Sequence, residues 1–194
     1  GTNKQKQEFV VKLIGRVIFA WFLREKQSSS HIPLISEKLL SRKAAAKSNY
    51  YHNILAPMFF EVLNKPVDSR TEKYKKEPYS LIPYLNGGLF DPDHIDQYDY
   101  DLNTESSINE HIVVPDSWIR KFFDVLEIYN FTIDEDTSDD MELSIDPEML
   151  GRIFENLLAR INPETEKSVR NSTGSFYTPR EVVDYMVNKS LEEY

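Results

Sequence analysis

Residues Lys4–Lys26 read KQKQEFVVKLIGRVIFAWFLREK, and apolar side chains return every three or four positions along them. The recurring apolar residues are Phe9, Val10, Leu13, Ile14, Val17, Ile18, Trp21 and Phe22. A period of 3.6 residues held over several turns is typical of a helix with a broad buried face. This stretch therefore predicts one long, heavily buried helix.

The same 3.6-residue period, together with N-cap residues and with proline or glycine at helix ends, predicts further helices along the rest of the chain. They cover Ser36–Ser41 and about Ser48–Asn64, with Pro57 as a kink or a new start. A further helix is capped at its start by Asp116 and has apolar residues at Trp118, Ile119, Phe122, Phe123, Val125, Leu126 and Tyr129. The last two cover Asp146–Ile161 and Pro179 to the last residue, with Val182, Val183, Met186 and Val187 buried. The segments between them read as a mobile basic loop (65–80), an acidic irregular stretch (91–109) and a short strand (112–114). The expected fold is mainly α, an irregular multi-helix domain with long loops and at most one or two short strands.

The composition excludes several classes of protein. The 194 residues contain no cysteine, so disulfides, thiolate metal sites and cysteine nucleophiles are ruled out. The longest apolar run, Val17–Leu23, is far shorter than the roughly 20 residues that cross a bilayer, and no signal-peptide pattern is present. We expect a cytoplasmic protein with no membrane partner.

Charge is distributed unevenly along the chain. Residues 1–80 hold 15 Lys or Arg and 7 Asp or Glu, whereas residues 81–148 hold 2 and 18. A nucleic-acid contact would thus lie on the first third of the chain. Five basic residues cluster there in the predicted loop 65–80: Lys65, Arg70, Lys73, Lys75 and Lys76. Solvated helix faces would give the same asymmetry, so both interpretations stay open.

The acidic residues and histidines of the sequence lack the spacings that are typical of metal sites and of metal-dependent nucleases. None of the 32 acidic residues is followed two positions later by lysine, which excludes the Asp/Glu-x-Lys unit of many metal-dependent nucleases. The acidic run Asp91, Asp93, Asp96, Asp99 and Asp101 lacks the spacing and terminal Glu of a calcium loop. The histidines, at positions 31, 52, 94 and 111, show no His-x-x-x-His spacing. No metal site is expected.

A capping box stands near the C-terminal end of the sequence. In Thr178-Pro179-Arg180-Glu181 the Thr178 hydroxyl can bond the amide of Glu181, the Glu181 carboxylate can bond the amide of Thr178, and proline fits the first helical position. A helix start fixed in this way offers amide protons to an anionic ligand. It is equally compatible with an ordinary, well-capped surface helix.

Five stretches of the sequence resemble one enzyme family. Residues 174–187, GSFYTPREVVDYMV, resemble the N-terminal motif of gamma-class N6-adenine DNA methyltransferases, which helps to bind S-adenosylmethionine. Residues 146–158 (DPEMLGRIFENLL), 85–90 (LNGGLF), 129–133 (YNFTI) and 13–19 (LIGRVIF) look like the helical region of fused Type IIG restriction-modification enzymes. The matches occur in the expected order and span nearly the whole chain.

The resemblance implies a division of roles rather than a complete enzyme. The family's glycine-rich cofactor loop and its Asn/Asp-Pro-Pro-Tyr/Phe tetrapeptide are missing, since the chain has no Gly-x-Gly and no adjacent prolines. We therefore expect residues 1–145 to be a helical connector and residues 146–194 to lead into a methyltransferase domain beyond this sequence, with no catalytic residue here. A last helix without its packing partner would leave some apolar residues exposed.

The same resemblance implies the ligands. Phe176, Tyr177, Thr178 and Pro179 would form one wall of the S-adenosylmethionine site of the full-length protein, with none bound to this segment alone. Its partners would be its own methyltransferase domain and double-stranded DNA, whose phosphates the basic cluster at 65–76 would contact. Two alternatives stay open: a stand-alone helical DNA-binding or protein-interaction module, and a self-contained nuclease with an unfamiliar active site.

Overall fold

The computed structural model of the chain describes residues 3–25, 32–85, 88–92, 95–96, 99–101, 106–108, 113–129, 150–151 and 180–192. They belong to two compact units, Gly1–Tyr129 and Asn130–Tyr194. The α-helices in the described part of the chain are α1 (Asn3–Glu25), α2 (Asp116–Leu126) and α3 (Arg180–Glu192), and the strands there are β1 (Asp99–Asp101) and β2 (Ser106–Ile108). The predicted fold class, mainly α with at most one or two short strands, is confirmed.

Helix α1 lies at the centre of the first unit. It matches the helix predicted over Lys4–Lys26 and buries Leu13, Val17, Ala20 and Trp21. Aromatic side chains from later segments pack along it, with ring-centre distances of 5.8 Å for Phe9–Tyr51, 6.1 Å for Phe19–Phe90 and 5.0 Å for Trp21–Phe123. The apolar stripe of α1 thus organises the core, as its period predicted.

The segment after α1 forms turns where a second helix was predicted. Leu39 and Leu40 both donate from their amides to the carbonyl of Ser36, and Ser36 Oγ accepts from the amide of Lys38. A serine that accepts from the amide two residues further on is typical of a helix start, but only one turn follows Ser36. The prediction for Ser36–Ser41 was therefore wrong beyond a single turn, and a short 3-10 helix, Ala44–Ala46, follows instead.

The predicted helix at Ser48–Asn64 exists but has unusual geometry. Two π-helical stretches, Tyr51–Leu55 and Met58–Leu63, run on either side of Ala56-Pro57. Proline lacks an amide proton and its ring crowds the preceding turn, and the wider π turn is one way for a helix to continue past it. Pro57 therefore neither ends nor restarts the helix. We call Tyr51–Leu63 the π-helical segment.

The start of the π-helical segment is capped by a residue from α2. The two carboxylate oxygens of Asp116 accept hydrogen bonds of 2.9 Å from the backbone amides of Asn49 and Tyr50. Asn49 has φ 54°, a left-handed conformation that asparagine tolerates better than most residues. Asp116 was predicted to cap its own helix, yet α2 begins at this residue and its carboxylate serves another helix start.

Replacing Asp116 by alanine should lower the free energy of unfolding by about 1–2 kcal/mol, because two backbone donors at a helix start lose their acceptor. Chemical denaturation of the two proteins measures the difference. Asp124→Ala is the matched control on the same helix: its exposed pair with Arg42 should contribute less than about 1 kcal/mol. Equal losses in both variants would contradict the capping role.

The short strands β1 and β2 form an antiparallel pair, with Asp99 opposite Ile108 and Asp101 opposite Ser106. They lie in the stretch 91–109, which was predicted to be irregular. The prediction missed them because acidic residues are uncommon in strands. The strand predicted over 112–114 is not seen at Val113 and Val114, which have no regular secondary structure, while residue 112 lies outside the described residues.

A buried ion pair joins α1 to the chain that precedes β1. Arg16 Nη1 and Nη2 lie 2.5 and 2.9 Å from the two carboxylate oxygens of Asp96, and both residues are almost fully buried. Arg16 also donates from Nε to the carbonyl of Leu89 at 2.8 Å and from Nη2 to that of Asp91 at 3.0 Å. Its guanidinium carbon lies 4.9 Å from the ring centre of Phe60. Each of the three guanidinium nitrogens thus has a hydrogen-bond partner, which offsets the cost of burying the charge.

The segment predicted as a mobile loop, residues 65–80, is folded. It contains two 3-10 helices, Val67–Ser69 and Glu72–Lys75. Tyr74 and Tyr79 are buried and meet edge to face, with their ring centres 5.0 Å apart. The prediction weighed the lysines and prolines and overlooked two tyrosines that anchor the segment in the core.

Helix α3 exposes the residues that were predicted to be buried. Val182, Val183, Met186 and Val187 keep between 42% and 59% of their surface accessible. The helical period is present, but the described residues provide no cover for this face, in line with the expectation that apolar residues of the last helix would be exposed. Among the described helices, none has the length and apolar character that crossing a membrane requires.

The division predicted at 145/146 stays a prediction. The boundary between the two compact units falls at 129/130, and residues 130–149 lie outside the described part of the chain. The helix predicted over Asp146–Ile161 is described only at Leu150 and Gly151, where it is helical.

Candidate nucleic-acid interface

The lysines predicted to contact phosphates lie on the folded 65–76 segment, and two of them pair with carboxylates. Lys65 Nζ lies 2.6 Å from Glu61 Oε2, and Lys75 Nζ lies 2.9 Å from Glu72 Oε1. The hydrogen bond and the charge of Lys75 lower the pKa of Glu72, which is fully exposed. Part of the positive charge that the sequence suggested is therefore compensated within the segment.

The other two lysines are presented differently. Lys73 is exposed and its Nζ lies 5.3 Å from the ring centre of Tyr74, within the range of a cation–π contact. Lys76 is exposed at the end of the second 3-10 helix. The structure thus brings Lys65, Lys73, Lys75 and Lys76 onto one folded segment, where Lys73 and Lys76 are exposed and Lys65 and Lys75 are half-buried.

Arg70, predicted with these lysines, has a different environment. Only 3% of its surface is accessible, and it donates from Nε to the carbonyl of Lys65 at 3.0 Å and from Nη2 to that of Ile82 at 2.9 Å. Burial lowers the pKa of its guanidinium. A buried group that holds two backbone segments together cannot reach a phosphate on this surface, so we leave Arg70 out of the contact set proposed below.

A second basic segment precedes the π-helical segment. We call the basic strip the four cations of residues 38–47, KLLSRKAAAK: Lys38, Arg42, Lys43 and Lys47. All four are exposed, and Arg42 Nε lies 2.8 Å from Asp124 Oδ1. The sequence analysis noted the basic first third but did not single out this strip, although four cations within ten residues that contain no acid were a visible signal.

Two of the stretches that carry the family resemblance meet in the core. Arg16 lies in residues 13–19, and Leu89 and Phe90 lie in residues 85–90, where Gly88 adopts φ 70°. The hydrogen bond from Arg16 to Leu89 and the packing of Phe19 on Phe90 hold the two stretches together. Only glycine adopts this φ readily, which accounts for its place in the turn.

The predicted cofactor residues Phe176, Tyr177, Thr178 and Pro179 lie outside the described residues, and α3 begins directly after them at Arg180. Among the residues that the structure does describe, no three or more His, Asp or Glu side chains are grouped so as to hold a metal ion.

Comparison with known proteins gives two matches. A family model named DUF7814, a domain of unknown function, matches residues 3–143. A protein of Methanocaldococcus jannaschii named "Putative type II restriction enzyme and methyltransferase RM.MjaORFECS2P" is 31% identical over 195 residues, covering 96% of this chain. The chain spans 15% of the length of that relative. No solved structure matches the chain significantly.

Proposed function

This chain belongs to the DUF7814 family. We propose that the chain is a non-catalytic helical segment of a restriction-modification enzyme, and that this enzyme is an S-adenosylmethionine-dependent DNA adenine-N6 methyltransferase. The observation that carries the proposal is the similarity to the archaeal relative, which runs through 96% of this chain yet occupies 15% of the relative. Such a match is typical of one part of a larger enzyme. In this role the segment links domains of the parent protein.

The second part of the proposal concerns the cofactor. Residues Phe176–Pro179 contribute one wall of the S-adenosylmethionine site, with the Thr178 hydroxyl as the polar contact and Tyr177 and Pro179 shaping the wall. Support comes from the sequence: a capping box at Thr178–Glu181 would fix the chain as it enters α3 and would leave amide protons at a positive dipole end. The methyltransferase domain that this proposal requires is also the partner that would cover the exposed apolar face of α3.

The third part concerns DNA. Lys65, Lys73, Lys75 and Lys76 contact phosphates of double-stranded DNA, and the affinity of such contacts falls as the salt concentration rises. Their location on a folded segment supports the proposal, because less conformational freedom is lost on binding than for a mobile loop.

Thr178→Ala in the full-length enzyme tests the cofactor wall. It should weaken S-adenosylmethionine binding by roughly fivefold to tenfold, the effect of about one lost hydrogen bond. Thr173→Ala, five residues upstream in the sequence, is the control and should leave the affinity unchanged. The isolated 194-residue chain should show no micromolar affinity in calorimetry, because most of the pocket lies elsewhere.

Two outcomes would contradict the proposal. Equal affinities for the Thr178 and Thr173 variants would mean that residue 178 does not line the pocket. Micromolar binding by the isolated chain would place the pocket within these 194 residues. Mg²⁺-dependent DNA cleavage by the purified chain would establish instead the alternative of a self-contained nuclease.

A further inference from the structure

We infer that the basic strip binds the phosphate backbone of DNA, as a second contact region beside the 65–76 lysines; this inference rests on the proposed function. Residues 38–47 hold four cations and no acidic residue. Within the described part of the chain, the side chains of Lys38, Lys43 and Lys47 take part in no ion pair, in contrast to Lys65 and Lys75. The strip therefore carries more uncompensated charge than the segment singled out from sequence.

The spacing of the strip concentrates like charges. Lys43 and Lys47 lie at the two ends of the 3-10 helix Ala44–Ala46, about 8 Å apart along its axis for a rise of roughly 2 Å per residue. No acidic residue lies between the two lysines, and the short turn that separates them holds only alanines. A phosphate backbone offers negative charge that this stretch of the chain does not itself contain.

The strip is held rigidly by hydrogen bonds that leave its lysines free to point outward. Ser41 Oγ donates to the carbonyl of Glu37 at 2.7 Å and accepts from the amide of Ala44 at 3.1 Å. Arg120 Nη1 donates to the carbonyl of Ala45 and Arg24 Nη1 to that of Leu40, each at 3.2 Å. A charged surface that is already ordered loses little freedom when it binds.

The chemistry of the strip favours a phosphate backbone over a protein partner. Its apolar residues Leu39, Leu40, Ala44 and Ala45 are buried, so the exposed surface between the cations is Ala46 and polar backbone. A specific protein interface needs a buried apolar or aromatic anchor at its centre. Contacts to DNA phosphates need only cations and amides and carry no sequence information.

Lys43→Gln/Lys47→Gln in the 194-residue chain tests the inference by fluorescence anisotropy with a duplex oligonucleotide. At about 0.1 M salt the Kd should rise tenfold or more, and the slope of log Kd against log salt should fall by about 2, one per lost phosphate contact. Lys43→Arg/Lys47→Arg should retain the affinity. Lys4→Gln/Lys6→Gln, two exposed lysines of α1, is the control with the same change in net charge.

The outcomes separate the two proposals. If Lys4→Gln/Lys6→Gln weakens binding as much as the strip variant, net charge explains the effect and the strip is not a site. If only Lys73→Gln/Lys75→Gln/Lys76→Gln weakens binding, the strip is overturned while the proposed DNA contact stands. A wild-type chain without salt-dependent DNA affinity overturns both DNA contacts, and the Thr178 experiment still decides the cofactor wall independently.

Discussion

Arg16→Met is expected to lower the free energy of unfolding by about 3–5 kcal/mol, which is a large part of the stability of an ordinary domain. The loss has a specific cause. Asp96 is fully buried, and without Arg16 its carboxylate would lose the positive charge that it contacts directly. The carbonyls of Leu89 and Asp91 would lose their donors as well. Urea denaturation of wild type and variant, monitored by tryptophan fluorescence, measures the difference.

A double variant distinguishes a lone buried charge from a loss of packing. Arg16→Met/Asp96→Leu removes both charges and should be more stable than Arg16→Met alone, because no buried carboxylate remains that has lost its arginine. Lys75→Met, which breaks an exposed pair with Glu72, should cost less than about 1 kcal/mol. If Arg16→Met/Asp96→Leu is instead less stable than Arg16→Met, the loss in Arg16→Met comes from packing and not from the buried carboxylate of Asp96.

Phe123→Ala should cost about 3–5 kcal/mol, the range for deleting a large aromatic side chain from a packed core. Phe123 has no accessible surface and lies between Trp21 of α1 and Tyr50, with ring-centre distances of 5.0 and 5.8 Å. The cavity would open where α2 joins α1, so both helices would lose contacts. Thermal and urea unfolding of the variant give the size of the effect.

The neighbouring residue provides the matched control. Phe122 has the same side chain on the same helix, but it is half-buried and stacks on Trp118 at 5.3 Å near the surface. Phe122→Ala should therefore cost only about 1 kcal/mol. Similar losses for the two variants would mean that the buried face of α2 is misassigned.

The sequence predicted those parts of the fold that depend on period and on residue size. The stripe of α1 identified its buried face, and the stripe of α2 identified Ile119 and Phe123. It failed where a distant partner decides the local structure. In the turns at 36–41, the carbonyl of Leu39 accepts a hydrogen bond from the hydroxyl of Tyr50, and burial raises the pKa of that hydroxyl. The 65–80 segment is folded because Tyr74 and Tyr79 pack in the core. Such effects override local propensity.

The sequence predicted where the basic residues of the candidate site lie along the chain, but not which of them are exposed. Counting cations located the first third of the chain, yet composition cannot tell that Arg70 is buried or that Lys65 and Lys75 meet carboxylates. Nor can it tell that the basic strip faces outward, because that depends on Leu39, Leu40 and two alanines turning inward. The cofactor wall at Phe176–Pro179 stays a prediction from motif alone.

The cap supplied by Asp116 has a consequence for how the chain must fold. Its two bonds join residues that are 67 and 66 positions apart, so the start of the π-helical segment is completed only after most of the first unit has been synthesised. Contacts this distant in sequence slow the search for the native state and make its parts interdependent. A shortened chain that stops ahead of α2 would therefore lack the carboxylate that accepts from the two amides at the start of the π-helical segment.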